Sequence, residues 1–401
     1  MGKSANDVVI TGIGIVTSQG VGVEPHLALL TSTESPAVKV ETERFAPYPV
    51  HPLPEIDWSQ QIAKRGDQRQ MENWQRLGVF SAGLALDDAG LKDNAEACST
   101  MDMIVAAGGG ERDILVDSLI VDEALKRNDR EQLLNEKLTT ELRPTLFLAQ
   151  LSNLLAGNIS IVHKVTGSSR TFMGEEAAGI SAVETAYHRI KSGQSTHTLV
   201  GGAFVAERLD MILLIEAIGA HRTGGWAPIW TRGDGGEGAI MLGSVGAFLV
   251  LESREHAEAR GARIYATMET IAGDRGNRAD GRMAGRLAGL AVGAPTDAVI
   301  FSGTTGLADL VSEEKQFLDK TFPGAPVRAY GGLVGHGLEA QFPAGLALAA
   351  LSLSSHMRIA PFEASEGAMA AAVETAVVTT LGHAHGEGLA VLRAEAQGDA
   401  R

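Results

Sequence analysis

The sequence predicts a large α/β protein built from two halves. Its 401 residues include 48 glycines, 44% apolar and only 5% aromatic residues, a composition that suits tight turns between strands and helices. A length prior of about 150 residues per unit gives roughly two to three domain-sized units. Apolar strand candidates alternate with helical segments along the whole chain. These three observations favour an α/β fold over an all-α or all-β one.

The first half is predicted to cover residues 1–255. Its strand candidates are residues 8–16, 103–107, 168–173, 197–203 and 246–252. A charged, helical stretch at about 110–150 interrupts this half and is expected to be a cap or a dimer-contact insertion.

The second half is predicted to cover residues 256–401. Its strand candidates are residues 264–271, 298–303, 326–331, 375–380 and 389–394. Each half contains a glycine-rich turn from a strand into a helix, at residues 174–179 and 331–337. This parallel between the halves indicates a duplication.

Charge and composition exclude several classes of protein. The net charge of −15 argues against nucleic acid as a partner, because binding phosphates requires a Lys/Arg surface. No apolar run approaches the ~18–20 residues of a membrane span, and no signal-peptide region is evident at the start. The single cysteine, Cys98, cannot form an internal disulfide and is expected to be inert, which fits a cytoplasmic protein.

The most informative segment is Arg170-Thr-Phe-Met-Gly-Glu-Glu-Ala-Ala-Gly179. A strand-like approach leads into a helix whose apolar residues Ile180, Val183, Tyr187 and Ile190 recur at helical spacing. The helix is expected to stop at Gly193, before the strand that ends in Gly-Gly-Ala203.

This segment closely resembles the nucleophile turn of the β-ketoacyl synthases of the thiolase superfamily. Other segments resemble the family in the same order: Val8–Thr17, Ala82–Leu91, Asn153–Gly157, Gly246–Glu252 and Gly335–Gly337. The resemblance implies a thiolase-like five-layer α-β-α-β-α fold built from two duplicated halves. It also implies no bound cofactor, with substrates carried on the phosphopantetheine of an acyl carrier protein.

At most of the positions where the family has catalytic residues, this sequence has other residues. The nucleophilic cysteine falls on Glu176, the first catalytic histidine on Ser302, and the family's lysine near Gly331, while His336 matches the second histidine. The C-terminal gating loop reads Thr380-Leu-Gly-His-Ala-His-Gly-Glu387 and lacks both phenylalanines of the family pattern.

Two interpretations of Glu176 remain open. An anion is stabilised at a helix N-terminus, so Glu176 is interpreted as a capping charge left after loss of the thiol, in preference to a catalytic carboxylate. Ser302 has no evident activating partner, and His336 alone is interpreted as a hydrogen-bonded remnant. His383 and His385 suggest a metal, but no further ligand cluster is evident, so no metal site is predicted.

The resemblance therefore implies a catalytically silent chain-length factor that pairs with an active ketosynthase and shapes its acyl tunnel. The system is expected to be an aryl polyene or other type II polyketide pathway. The alternatives are a malonyl-carrier decarboxylase of the same fold and a structural pseudoenzyme. The expected assembly is a heterodimer with that ketosynthase, although the sequence does not distinguish a heterodimer from a homodimer.

Two surfaces are candidates for these partners. Glu111, Leu115 and Leu119 are spaced four residues apart, so a helix would place them on one face, either in the acyl tunnel or in ordinary interface packing. Arg254, Arg260 and Arg263 are either a basic patch for an acidic carrier protein or a solvated helix face.

Overall fold

A computed structural model describes residues 3–144, 146–232 and 239–396. Thr145, in the predicted insertion 110–150, lies outside the described residues. So do the residues at the two chain ends, which belong to the predicted halves 1–255 and 256–401. The strands are β1 (Val8–Thr17), β2 (Gly20–Val21), β3 (Asp102–Ala107), β4 (Ser169–Met173), β5 (His197–Phe204), β6 (Val245–Ser253), β7 (Ala266–Asp274), β8 (Val299–Ser302), β9 (Val327–Ala329), β10 (Thr375–Leu381) and β11 (Glu387–Arg393).

The helices of the described residues lie between these strands. They are α1 (Val23–Thr31), α2 (Arg65–Gln70), α3 (Asn73–Asp88), α4 (Ala95–Thr100), α5 (Ile114–Ala124), α6 (Arg130–Thr140), α7 (Leu146–Ala149), α8 (Leu154–His163), α9 (Glu175–Lys191), α10 (Leu209–Ala217), α11 (Arg254–Ala259), α12 (Met283–Leu290), α13 (Ala308–Thr321), α14 (Tyr330–Val334) and α15 (Gln341–Ser355). Each predicted strand is present, with ends that differ by a few residues.

The two halves repeat one strand order. The strands run β4-β3-β5-β6-β1-β7-β11-β10-β8-β9 across the sheet. With the hairpin strand β2 set aside, the five strands of each half, numbered along the chain, stand in the order 3-2-4-5-1. The middle pairs, β3 with β5 and β8 with β10, are parallel, and the next pairs, β5 with β6 and β10 with β11, are antiparallel. The fold is the expected thiolase-like one; the division at residue 255 remains a prediction.

Five layers surround two cores. Helices α3 and α8 cover the outer face of the first half-sheet, and α12 and α13 cover that of the second. Between the half-sheets lie α9 and α15, whose apolar side chains pack against both. Helix α15 is buried along nearly its whole length, since residues 341–353 are all inaccessible. This central layer brings the start of α9 to the loops of the other half.

Glycines allow the closest packing between layers. An added Cβ at Gly14 of β1 would lie 1.9 Å from the carbonyl oxygen of Ser81 in α3. Gly12 likewise contacts α3 at Ala85 and Ala89. The Gly-Ile-Gly segment of β1 therefore serves helix–sheet packing, consistent with the absence of a complete dinucleotide-binding motif.

The predicted insertion is helical and exposed. Helices α5, α6 and α7 lie between β3 and β4, and several apolar side chains on them face solvent, with Leu115 80% and Leu125 78% exposed. Among the described residues, no helix combines the length and apolar character needed to cross a membrane.

Candidate functional site

The start of α9 is built by local geometry and by close packing. Strand β4 ends at Met173, and Gly174 turns the chain with a φ of 108°, a conformation that favours glycine. One turn into the helix, a Cβ at Gly179 would lie 2.4 Å from the carbonyl oxygen of Glu339. The helix N-terminus is therefore fixed against the segment that follows His336.

Glu176 is fully buried and contacts two histidines. Its Oε1 accepts hydrogen bonds from the backbone N–H of His383 at 3.0 Å and from the His383 Nδ1 at 3.0 Å. The Nε2 of His336 donates to the same oxygen. Glu176 lies in the first turn of α9, where an anion is favoured, and its carboxylate also binds imidazoles of the other half; its interpretation as a capping charge stays a prediction.

The charges of this cluster stabilise one another. Burial on its own would raise the pKa of Glu176, but His336 and His383 hold the pKa well below its usual range. Burial lowers the pKa of His383, yet the neighbouring carboxylates of Glu176 and Glu175 outweigh it and leave the pKa raised. The cluster is therefore an anionic Glu176 facing a His383 that holds its proton more strongly than usual.

A second carboxyl group lies next to this cluster. Glu339 is 4% exposed and packs against Gly108, where an added Cβ would lie 2.4 Å from its Oε1. Burial, together with the negative charges of Glu176 and Glu175, raises its pKa to about 7. Glu339 is therefore an acid that changes charge near neutral pH.

The sequence did not place His383 or Glu339 beside Glu176. The segment 380–387 was linked to the site only by the family resemblance. That resemblance concerned the two missing phenylalanines and not His383. His383 lies 207 residues from Glu176 along the chain, and no local pattern reports such a contact. His385, two residues further, is exposed and is not part of the cluster.

Ser302 belongs to a separate buried cluster. Its Oγ donates to Oε1 of Glu314 at 2.7 Å, and Thr379 donates to the same oxygen at 2.9 Å. Burial raises the pKa of Glu314, and no ion pair to it occurs within the described ranges. The carboxyl group of Glu314 is therefore the hydrogen-bond acceptor of Ser302, a partner that the sequence did not reveal.

Gly331 cannot be replaced by the family's lysine without movement of the backbone. An added Cβ would lie 2.5 Å from the carbonyl oxygen of Thr304. The loop after β8 therefore occupies the space that a longer side chain would need.

The proposed tunnel residues do not all lie on one helix. Helix α5 begins at Ile114 after its N-cap Asp113, so Glu111 precedes it, and the expectation of a shared helical face is wrong for Glu111. Glu111 and Leu115 nevertheless line one depression of about 440 Å³, together with Arg112 and Leu146. Leu119 is not among the residues that line it.

A second depression lies between that surface and the carboxyl cluster. It has a volume of about 630 Å³, and its lining includes Met173, Glu175, Met211, Leu214 and Glu339. Arg112, Arg208 and Asp210 line both depressions, so the two are neighbours. The lining of the first depression includes many charged side chains, among them Glu111, Arg112 and Asp113, whereas the second depression is mainly apolar and its lining includes Glu175 and Glu339.

The predicted basic patch is neutralised by carboxylates. Arg254 pairs with Glu395 at 2.5 Å, Arg260 with Glu252 at 2.5 Å, and Arg263 with Asp88. The interpretation of these arginines as a carrier-docking patch is therefore wrong; they hold structural ion pairs. Cys98 is buried, and burial raises the pKa of its thiol, which fits an inert residue.

Three ligand atoms converge where no metal site was predicted. One nitrogen or oxygen atom from each of Glu176, His336 and His383 lies within 4.8 Å of the others. In the sequence, His383 lies close to His385, but no third ligand is evident nearby. The other two members of the cluster, Glu176 and His336, lie in distant segments of the chain.

Comparison with known proteins places this geometry in a family. The model of the N-terminal domain of β-ketoacyl synthases matches residues 5–257. The chain belongs to the β-ketoacyl synthase family. A relative from Vibrio cholerae, 3-oxoacyl-[acyl-carrier-protein] synthase 2, is 26% identical over 276 residues, which span 66% of this chain and 62% of the relative. The match therefore covers less than two thirds of that relative's length.

A polyketide relative matches over a longer range. The tetracenomycin polyketide synthase ketoacyl synthase beta subunit of Streptomyces glaucescens is 27% identical over 348 residues, which span 80% of this chain and 79% of the relative. Among solved structures, the ishigamide ketosynthase/chain length factor superposes with a TM-score of 0.78 at 22% identity, over 97% of this chain and 99% of that one. At this identity the superposition establishes the thiolase-like fold of the ketosynthases.

Proposed function

We propose that this ketosynthase-family chain is a catalytically silent subunit of the chain-length-factor type. In this role it pairs with an active β-ketoacyl synthase and contributes a wall of the acyl tunnel during type II polyketide or fatty-acid-like elongation. The growing chain is carried as a thioester on the phosphopantetheine of an acyl carrier protein. The observation that carries the proposal is the contact of Glu176 with both histidines of the site.

Condensation needs a thiolate to hold the acyl group and imidazoles free to act on the incoming thioester. Here the thiol position holds Glu176, whose carboxylate would form only a high-energy mixed anhydride with an acyl group. The same carboxylate already accepts the protons of His336 and His383. The carboxylate and the two imidazoles are therefore hydrogen-bonded to one another instead of being free to act on a substrate.

The pairing proposal is supported by an unpaired edge and an apolar surface. Strand β4 lies at the edge of the sheet and pairs on one side with β3, and its residues are exposed or half-buried. An edge strand of this kind is a template for pairing with another chain. Its last residue, Met173 (65% exposed), lines one depression together with the exposed Leu214 of α10. Contiguous apolar surface of this kind is typical of a protein interface.

The tunnel proposal is supported by the two neighbouring depressions. Glu111 and Leu115 line one, and Met173, Met211 and Leu214 line the other. A partner that covers both would enclose the mainly apolar second depression, which suits an acyl chain, together with the more charged first one. Leu115 is the side chain with the most freedom to project into it, because it is 80% exposed in the single chain.

The alternative function is decarboxylation of a malonyl-carrier thioester without condensation. His383 favours it, because the site then contains two imidazoles even though Ser302 replaces the first catalytic histidine. The bonds of both imidazoles to Glu176 count against it, since the carboxylate occupies the donors that a thioester oxygen would need.

The decisive experiment reconstitutes the chain with an active ketosynthase of the same system. The isolated chain is incubated with acyl-carrier and malonyl-carrier, and the products and the intact protein mass are measured. We expect no acyl adduct, no condensation and no decarboxylation by the chain alone, and full activity only for the pair. An acyl adduct on this subunit would overturn the silent assignment, and release of CO₂ by the chain alone would establish the decarboxylase.

Pairing is tested separately at the edge surface. Met173→Lys places a charge in the apolar surface beside β4 and should weaken co-elution with the ketosynthase. Met357→Lys, at another exposed methionine (44% exposed), is the matched control and should co-elute as the unchanged chain does. Equal co-elution of both variants would show that the pair does not form at this surface.

A further inference from the structure

The cluster of Glu176, His336 and His383 has the composition of a metal site. Its ligand atoms come from the start of α9, from the turn before α15 and from the loop after β10, and all lie within 4.8 Å of one another. Two imidazoles and one carboxylate, with water in the fourth position, are a common ligand set for Zn²⁺. The site is almost inaccessible, with Glu176 0% and His336 2% exposed.

Two further contacts fit a bound cation. The second oxygen of Glu176, Oε2, is buried and has no hydrogen-bond partner among the described residues. The Nε2 of His383 faces Oε2 of Glu175 at 3.7 Å, while its Nδ1 faces Glu176. Metal-binding imidazoles commonly donate their other N–H to a carboxylate, which fixes the ring. The 3.7 Å separation is longer than a hydrogen bond, so Glu175 would have to move closer to orient His383 in this way.

The charges around the cluster also favour a cation. The carboxyl groups of Glu175 and Glu339 line one depression, and Glu176 lies beside them with the imidazoles of His336 and His383 against its carboxylate. A divalent ion between Glu176 and the imidazoles would lower the repulsion among the three. Such an ion would be the largest local charge in the site.

We propose that Glu176, His336 and His383 bind one divalent first-row transition-metal ion, with Zn²⁺ as the representative. Zinc bonds of about 2.0–2.2 Å in a tetrahedron separate ligand atoms by about 3.3 Å. The Nδ1 of His383 and the Oε1 of Glu176 are 3.0 Å apart. Small rotations of the two side chains would bring this separation to the value that a bound ion requires. The ion replaces the shared protons and fastens α9 of the first half to two loops of the second. This assignment does not depend on the proposed pairing function.

The test is a titration of the untagged chain, stripped with a chelator, with Zn²⁺ in competition with a chromophoric chelator. We expect one Zn²⁺ per chain. Glu176→Gln and His383→Asn should each lower the affinity by at least about 100-fold, because even outer-shell partners of metal ligands contribute about 10–100-fold. His385→Asn changes the same residue type in the same loop outside the cluster and should bind as the unchanged chain does.

A second measurement distinguishes the loss of a metal ligand from misfolding of the variant. Co²⁺ bound at this cluster should give a tetrahedral visible spectrum that both ligand variants lose and His385→Asn keeps. Circular dichroism establishes that each variant is folded, and if Glu176→Gln does not fold, His383→Asn decides. The absence of Zn²⁺ binding, or binding unaffected by a folded ligand variant, would overturn the proposal. Co-elution with the ketosynthase is measured in parallel, so failure of the metal site is distinguished from failure of pairing.

Discussion

At position 176 the structure has a buried carboxylate with several hydrogen-bond partners. Its Oε1 accepts protons from His336 and His383, and the backbone N–H of His383 adds a further bond. These contacts link the first half of the chain to the second. This residue should contribute to stability more than a surface charge would.

Glu176→Gln should lower the free energy of unfolding at pH 7 by about 1.5–3 kcal/mol, since hydrogen bonds to charged groups contribute about that much. The pKa of Glu176 is depressed in the folded chain, so its stabilisation is present above the unfolded pKa and is lost as pH falls through the folded value. The two proteins should therefore converge in acid. Urea unfolding with a chelator present measures this.

Glu175→Gln, at the neighbouring and partly exposed carboxylate, is the control and should have a smaller effect. The turnover of the reconstituted pair should be nearly unchanged by Glu176→Gln. A large fall in turnover with the heterodimer intact would instead make Glu176 a catalytic or tunnel-orienting group.

Glu339 should make stability depend on pH in the opposite sense. Burial and the charges of Glu176 and Glu175 raise its pKa to about 7, so the folded chain holds a proton that the unfolded chain releases near pH 4.5. The folded state is therefore penalised as pH rises from about 4.5 to about 7. Between pH 5 and pH 8 this costs about 2–3 kcal/mol of stability.

Glu339→Gln removes that titration. The variant should gain about 2–3 kcal/mol relative to the unchanged chain between pH 5 and pH 8. Urea unfolding at the two pH values measures the difference, with the exposed Glu141→Gln as the control. A difference independent of pH would show that Glu339 is ionised in the folded state throughout this range.

On the scale of elements, helix α5 and strand β4 leave unpartnered surface beside the site. Leu115 projects from the first turn of α5 and lines the depression that Glu111 also lines. Because the side chain is exposed in the single chain, a change in its size should not disturb the fold. Its effect should appear only when a partner covers it.

Leu115→Trp should shorten the product made by the reconstituted pair, because the larger ring fills part of the tunnel, and Leu115→Ala should permit longer chains. Mass spectrometry of the products gives the length distribution. Leu125→Trp, a change at a similarly exposed leucine at the other end of α5, is the control. An unchanged distribution in Leu115→Trp, with the pair still formed, would remove α5 from the tunnel.

On the scale of the whole molecule, the positions that the family resemblance assigns to catalysis come from both halves. Position 176 comes from the first half, whereas Ser302, Gly331 and His336 come from the second. Ser302 is bonded to the buried Glu314, and the carbonyl of Thr304 blocks a side chain at Gly331. The proposed catalytic silence therefore rests on several positions rather than on one.

Glu176→Cys should for this reason fail to restore condensation in the isolated chain. In the pair, it should not raise condensation above the level that the ketosynthase gives by itself. The thiol should react with an alkylating probe, since the start of α9 favours a thiolate. Condensation products are measured by mass spectrometry alongside the alkylation. Condensation by this single variant would show that Ser302 and Gly331 do not limit the chemistry.

The sequence by itself determined the elements and the family. Apolar runs gave the strands to within a few residues, because strand and helix periodicities are local properties of the chain. The ordered motifs gave the thiolase-like fold. Through the family resemblance they also predict that Glu176 occupies the nucleophile position and that His336 and Ser302 occupy catalytic positions.

Only the tertiary structure decided what these residues contact. Glu176 meets His336 and His383 across 160 and 207 positions of sequence, and Glu339 acquires its raised pKa from burial beside the same carboxylate. Arg254, Arg260 and Arg263 read as a basic cluster in sequence but each meets a carboxylate in the fold. Burial and electrostatic partnership depend on which distant segments pack together, and no pattern within a single segment specifies that.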